Sequence, residues 1–199
     1  MTTSPDLAVS VGAGTYPEMA LSATRLYDRL RYEAAHAGEP VDFAAAGDVG
    51  LDVGSYDGAY RSVIGALGLR RVVSIEPMAD ILYDGIKAGM VPDGDAFGGT
   101  LQAWVEQARE PAGAVFIFNM MPSLPNDPTF VRAVAEATAP GGIVAATFRE
   151  PITCTQFATA APRVGLRMLY GPVAARFDAP PLELTARNKF LHLYRRGAA

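Results

Sequence analysis

Four short runs in the middle of the chain are almost wholly apolar: residues 49–53, 71–75, 114–118 and 143–148. Each has the length of a single strand and is too short for a buried helix. Stretches with one apolar face lie between them, over residues 59–67, 78–88, 100–109 and 127–138. A strand that is apolar on both sides needs cover on both faces. Strands that alternate with helices obtain it in a parallel sheet, doubly wound by right-handed crossovers. The expected fold class is therefore α/β. Pro128 suits the first turn of the helix that it opens. A further strand is expected within residues 90–97, although Pro92 and Gly94 interrupt it.

The rhythm changes after residue 148. A helix is expected over 150–163, with strands at 165–170 and 189–194 and a Pro/Gly-rich loop between those strands. No clear crossover helix joins the two strands, so they read as an antiparallel hairpin at one edge of the sheet. At the other end of the chain, residues 17–37 form an amphipathic helix on Met19, Leu26 and Leu30, stopped by Gly38 and Pro40. That helix is expected to cap the domain. The division is a tail and cap over residues 1–45 and an α/β domain over residues 46–199.

Length and charge narrow the partners. A chain of 199 residues accommodates one core and is short for two. Its 17 basic residues are spread along the chain and are outnumbered by 21 acidic ones. A phosphate-backbone binder clusters excess Lys and Arg instead. No run reaches the roughly 18 apolar residues of a membrane span. No basic-then-apolar leader opens the sequence. The expectation is a cytoplasmic protein, with a homodimer allowed and neither nucleic acid nor membrane as partner, and length and charge leave a small enzyme and a binding module both open. The lone Cys154 agrees with a reducing compartment.

The stretch that carries chemistry is Leu51-Asp52-Val53-Gly54-Ser55-Tyr56-Asp57-Gly58. It spans the carboxyl end of the first strand and the turn into a helix, where open α/β sheets bind ligands. Gly54 permits a sharp turn and a close approach of a ligand to the backbone. The helix start offers free N–H groups. Glu76 ends the second strand, 22 positions after Gly54. A carboxylate there can accept hydrogen bonds from both hydroxyls of a ribose, and its charge disfavours a 2′-phosphate. Turn and acid together describe a site for an adenosine-bearing ligand. The order Asp-x-Gly-x-x-x-Gly differs from the dinucleotide pattern G-x-G-x-x-G.

On these residues the sequence resembles the class I S-adenosylmethionine-dependent methyltransferases. Their first motif has the form [D/E]-x-G-x-G-x-G, and Asp52, Gly54 and Gly58 fall on three of its positions, with Tyr56 where the middle glycine stands. The turn is also similar to the GSNDG variant of some members. The resemblance implies a seven-stranded sheet of order 3-2-1-4-5-7-6 with strand 7 antiparallel. It implies S-adenosyl-L-methionine as cofactor, held by Asp52, Gly54, Ser55, Tyr56 and Gly58 of the turn and by Glu76, Pro77 and Met78 after the second strand. Gly94-Asp95-Ala96-Phe97 resembles the "GDA" motif, which would put Asp95 on the adenine amine with Ala96 beside it. Asn119 and Met120 fall in the segment that borders cofactor and substrate after the fourth strand. Ala139-Pro140-Gly141-Gly142 resembles the "PGG" turn before the fifth strand.

The implied reaction is direct, in-line methyl transfer to a small molecule, in which positioning and a dry pocket do much of the catalysis. Two alternatives stay open. One keeps fold and cofactor but uses the sulfonium for other group transfer or cyclisation. The other is a non-catalytic nucleoside-binding module. No metal site is expected, because no Asp/Glu/His cluster has ligand spacing. The catalytic base is not identified. Glu150, at the ligand end of the fifth strand, is the carboxylate best placed to meet a substrate, and reads equally as a solvated loop residue. His36 and His192 read as structural, and Cys154 as an inert thiol. The substrate pocket is expected from the cap helix, the loop after Asn119 and residues 150–163 and 171–187, with Met120, Met121, Phe148 and Phe157 making it apolar.

Overall fold

In the computed structural model, which describes residues 30–32, 34–107, 109–121, 123–148, 150–171 and 190–198, the apolar runs lie side by side in one sheet. Its strands are β1 (Val49–Val53), β2 (Arg71–Glu76), β3 (Ala96–Gly98), β4 (Ala112–Met120), β5 (Thr138–Phe148), β6 (Leu166–Tyr170) and β7 (Phe190–Arg196). Their order is β3-β2-β1-β4-β5-β7-β6. The first five run parallel, whereas β7 is antiparallel to both β5 and β6. The expected edge hairpin is therefore present. The helices are α1 (Arg61–Ala66), α2 (Ala79–Lys87), α3 (Leu101–Glu106), α4 (Pro128–Ala137) and α5 (Pro151–Ala160).

Side-chain alternation along the strands divides the core in two. Leu51, Val53, Val73, Ile75, Val115 and Ile117 pack on one face with Trp104 of α3, Phe130 of α4 and Phe157 of α5. Val72, Phe116 and Phe118 pack on the other with Val63 and Ile64 of α1. Leu30 and Ala34, within the helical residues 30–32 and 34–36, join that second face. The described end of the expected cap helix thus lies on the sheet, while residues 1–29 lie outside the described residues. Glu39 fastens the following segment to the hairpin edge through Arg167 of β6 and Arg195 of β7, each at 2.8 Å.

Three of the differences from the expected boundaries have a clear local cause. Helix α1 begins at Arg61 rather than near Ala59, because the turn that starts at Gly54 continues through Tyr60. Strand β3 is confined to three residues, since Pro92 lacks a donor and Asp93–Asp95 close a 3-10 turn. Strand β5 starts early: Thr138 pairs with Ala112, then Ile143 with Ala114, so the Pro140-Gly141-Gly142 segment is a bulge within the strand. Among the described residues no helix is long and apolar enough to cross a membrane.

Candidate functional site

Strands β1, β2 and β4 are neighbours, and the segments leaving their carboxyl ends enclose a cavity of about 560 Å³. Gly54, Ser55, Tyr56 and Tyr60 line it after β1, and Glu76, Pro77 and Met78 after β2. Gly99, Thr100, Leu101 and Gln102 line it from the link after β3 into the first turn of α3, and Phe118 and Met121 at the end of β4.

The turn after β1 is built for close approach. Gly54 has φ +69°, and a Cβ there would meet nothing within 4 Å, so open space adjoins the backbone. Its N–H and that of Ser55 both donate to the Ile75 carbonyl, at 2.8 and 3.2 Å, which ties the turn to β2. Tyr56 follows with φ +55°, the one non-glycine residue at positive φ among those described. The middle glycine of the resembling motif is explained by this conformation, which glycine adopts without the steric cost that a Cβ brings.

Glu76 is the acid at the cavity. Its side chain is buried, and each carboxylate oxygen accepts one backbone N–H: Oε2 from Tyr56 and Oε1 from Met78, both at 2.9 Å. Two amides fix the carboxylate in position and leave each oxygen a further acceptor site. Ser55 is fully buried, lines the cavity and has no hydrogen-bond partner for its hydroxyl.

Asp52 stands apart. It lies within β1 opposite Ser74, is buried, and does not line the cavity. Its Oδ2 has no hydrogen-bond partner. Burial pushes its carboxyl up to about 7, Arg61 opposes that rise, and the charges of Glu76 and Asp57 add to it. Gly58 is likewise structural here: at φ +87° it faces Val91, beyond α2.

Two other expected contacts are not brought to the cavity. Asp95 is held by Arg61 at 2.5 Å and by Arg71 at 2.7 Å, so its carboxylate is committed to two guanidinium groups. Ala96 follows it into β3, away from the lining. The residues that line this side are Gly99 to Gln102, one step further along the chain. Their sequence signal was the Thr100 N-cap, whose hydroxyl accepts the Ala103 N–H at 3.2 Å and sets where α3 begins. Asn119 and Met120 do end β4 at the carboxyl edge, and their side chains lie outside the described residues.

Glu150 is the N-cap residue of α5, exposed and away from the cavity. Phe148 and Phe157 pack against each other in the core, where β5 and α5 meet, and do not line this cavity. Residues 172–187 lie outside the described residues. Cys154 has a partner that sequence separation hid. Its Sγ is 2.8 Å from His192 Nε2, and His192 Nδ1 is 2.7 Å from the Tyr194 hydroxyl. Burial pushes the thiol up to about 11 and the imidazole down to about 4, so this chain of groups is neutral and ill suited to nucleophilic attack.

Solved structures share this architecture. Fibrillarin from Aeropyrum pernix, crystallised with natively bound S-adenosyl-L-methionine, superposes with a TM-score of 0.57 at 12% identity, covering 83% of this chain and 74% of that one. The N-methyltransferase NodS from Bradyrhizobium japonicum gives 0.57 at 13%, covering 86% and 97%. The fibrillarin pre-rRNA processing protein of Methanococcus jannaschii gives 0.59 at 9%, covering 81% and 71%. The chain has the class I methyltransferase fold. No protein-family profile matches the sequence, and no curated protein does. The class I fold is therefore visible here in strand order and turn geometry, at identities where sequence comparison alone is silent.

Proposed function

We propose that the cavity binds S-adenosyl-L-methionine and that the chain transfers its methyl group to a small-molecule acceptor by direct in-line displacement. The observation that carries this reading is Glu76: a buried carboxylate, fixed by two backbone amides, with an acceptor site on each oxygen beside the cavity. Vicinal ribose hydroxyls are the complementary donors. The unpartnered Ser55 hydroxyl and the open space beside Gly54 fit the same ligand. On the β3 side, the Gln102 carboxamide can both donate to and accept from an adenine edge. The cofactor supplies an electrophilic methyl group on a sulfonium. The chain's own residues hold and orient it in a largely apolar cavity.

A small-molecule acceptor is favoured by charge. Among the described lining residues Glu76 is the one charged group, and no Lys or Arg faces a polyanion. The site falls wholly within the proposed domain of residues 46–199, with residues 1–45 as tail and cap. A cytoplasmic setting accords with the single protonated cysteine. Isothermal titration with S-adenosylmethionine, S-adenosylhomocysteine and NAD tests the reading. Binding of the first two and not of NAD is expected. Binding of NAD alone overturns it.

A further inference from the structure

Sugar and base meet different kinds of group in this cavity. Glu76 is a fixed acceptor, held by the Tyr56 and Met78 N–H groups, and a carboxylate accepts without donating. Along the lining from Gly99 to Gln102 no charged side chain stands. The Gly99 N–H is spent on the Glu76 carbonyl at 3.1 Å. The Thr100 oxygen accepts the Ala103 N–H at 3.2 Å, and its own O–H stays free to turn. Gln102 is half-buried in the first turn of α3, and no hydrogen bond to a described residue holds its carboxamide.

The acid that could have supplied a fixed acceptor beside the base is committed elsewhere. Asp95 gives Oδ2 to Arg61 and Oδ1 to Arg71, and it does not line the cavity. An edge of the base is therefore left to a carboxamide. The two ends of that group exchange when it turns by half a rotation about its last torsion. In one orientation Oε1 accepts from the 6-amino group of adenine while Nε2 donates to N1. In the other, Nε2 donates to the 6-oxo group of hypoxanthine while Oε1 accepts from N1–H. Either way two complementary hydrogen bonds form. A carboxylate in the same place would accept from the amine and repel the oxo group.

We infer that the cavity takes 6-oxopurine nucleosides as readily as adenosine, with Gln102 as the residue that adapts to either base edge. This rests on the reading of Glu76 as the ribose acceptor and of the lining from Gly99 to Gln102 as the base site.

The test is calorimetric titration with S-adenosyl-L-homocysteine and with S-inosyl-L-homocysteine, its 6-oxo counterpart. In the wild type the two affinities should agree within about fivefold, a difference under 1 kcal/mol. Gln102→Glu puts an acid in the first turn of a helix, where it is well tolerated. It should raise the preference for the adenine ligand by at least about fivefold, because the carboxylate cannot pair with the oxo group. A wild-type preference for either ligand beyond that margin overturns the inference, and so does a smaller shift in Gln102→Glu. The wild-type comparison decides the matter even where the variant fails to fold. If neither ligand binds, the cofactor reading falls and this inference falls with it. If S-adenosylhomocysteine alone binds, the cofactor reading stands and only this inference falls.

Discussion

The Tyr56 backbone N–H donates to Glu76 Oε2 at 2.9 Å, joining the turn after β1 to the acid that ends β2. Acid and turn therefore form one unit. Glu76→Gln keeps the shape of the side chain but turns one amide donor toward another, either Tyr56 N–H or Met78 N–H. The expected result is a loss of about 1–3 kcal/mol in S-adenosylhomocysteine binding, read by calorimetry, together with a lower melting temperature. Unchanged affinity would remove Glu76 from the ligand site.

Asp52 gives a pH signature. Its folded carboxyl titrates near 7, raised from 3.8 chiefly by burial. Between those values the folded state holds a proton that the unfolded state has released, so this group's contribution to stability falls as pH rises from about 4 to 7. Asp52→Asn removes that slope. The variant should gain on the wild type with rising pH across this window, by about 2–4 kcal/mol in all. Denaturant titrations at pH 4.5 and 7.5 measure it. A difference independent of pH would show that Asp52 is ionised throughout.

Much of this fold was legible because strands β1, β2, β4 and β5 are apolar on both faces and alternate with amphipathic helices. Glu76 and the Gly54 turn were legible because their chemistry depends on local spacing. Asp95 was expected at the cavity because the sequence does not show that Arg61 and Arg71 converge on its carboxylate. Tyr60 was missed because a single aromatic after the Gly54 turn carries no spacing signal, whereas Phe118 opens the segment that the resemblance sets beside cofactor and substrate, and both line the cavity. The Cys154–His192 contact spans 38 residues and depends on how β7 registers against β5.

The ion pairs of Asp95 yield a prediction that separates stability from binding. Arg61 is largely buried, and it also donates to the Val72 carbonyl. Asp95→Ala leaves that guanidinium without its carboxylate. Stability should fall by about 1–3 kcal/mol. Affinity for S-adenosylhomocysteine should stay within about threefold of wild type, well under 1 kcal/mol. A large loss of affinity with unchanged stability would return Asp95 to the adenine site.

Cys154 should be inert in the native protein. Burial holds the thiol near 11 and covers it, and the neighbouring His192, held near 4, is neutral at pH 8. The thiolate fraction at pH 8 is then on the order of one in a thousand, and the reagent lacks access. Modification by a disulfide reagent at pH 8 should be at least about a hundredfold slower than in denaturant. Rapid labelling of the folded chain would contradict a buried, neutral thiol.

Gly85 lies in α2, outside the cavity, yet it should matter to ligand binding. In a helix, alanine is favoured over glycine by about 1 kcal/mol, so propensity alone expects Gly85→Ala to stabilise. Packing reverses the sign. A Cβ at this position would stand 2.3 Å from the Asp57 carbonyl oxygen and 2.8 Å from its carbonyl carbon. Both are backbone atoms and cannot rotate away. Either α2 or the turn must shift, at a cost of about 1–3 kcal/mol. Asp57 follows Tyr56 directly, so a shift of the turn also moves the N–H that holds Glu76. Gly85→Ala should therefore lower the melting temperature and weaken S-adenosylhomocysteine binding together. Gly89→Ala, just past the same helix, is the control: a Cβ there meets nothing within 4 Å, and its φ of +72° imposes only the local backbone cost. That control should lose stability without losing affinity. Equal affinity in Gly85→Ala would show that α2, rather than the turn, gives way.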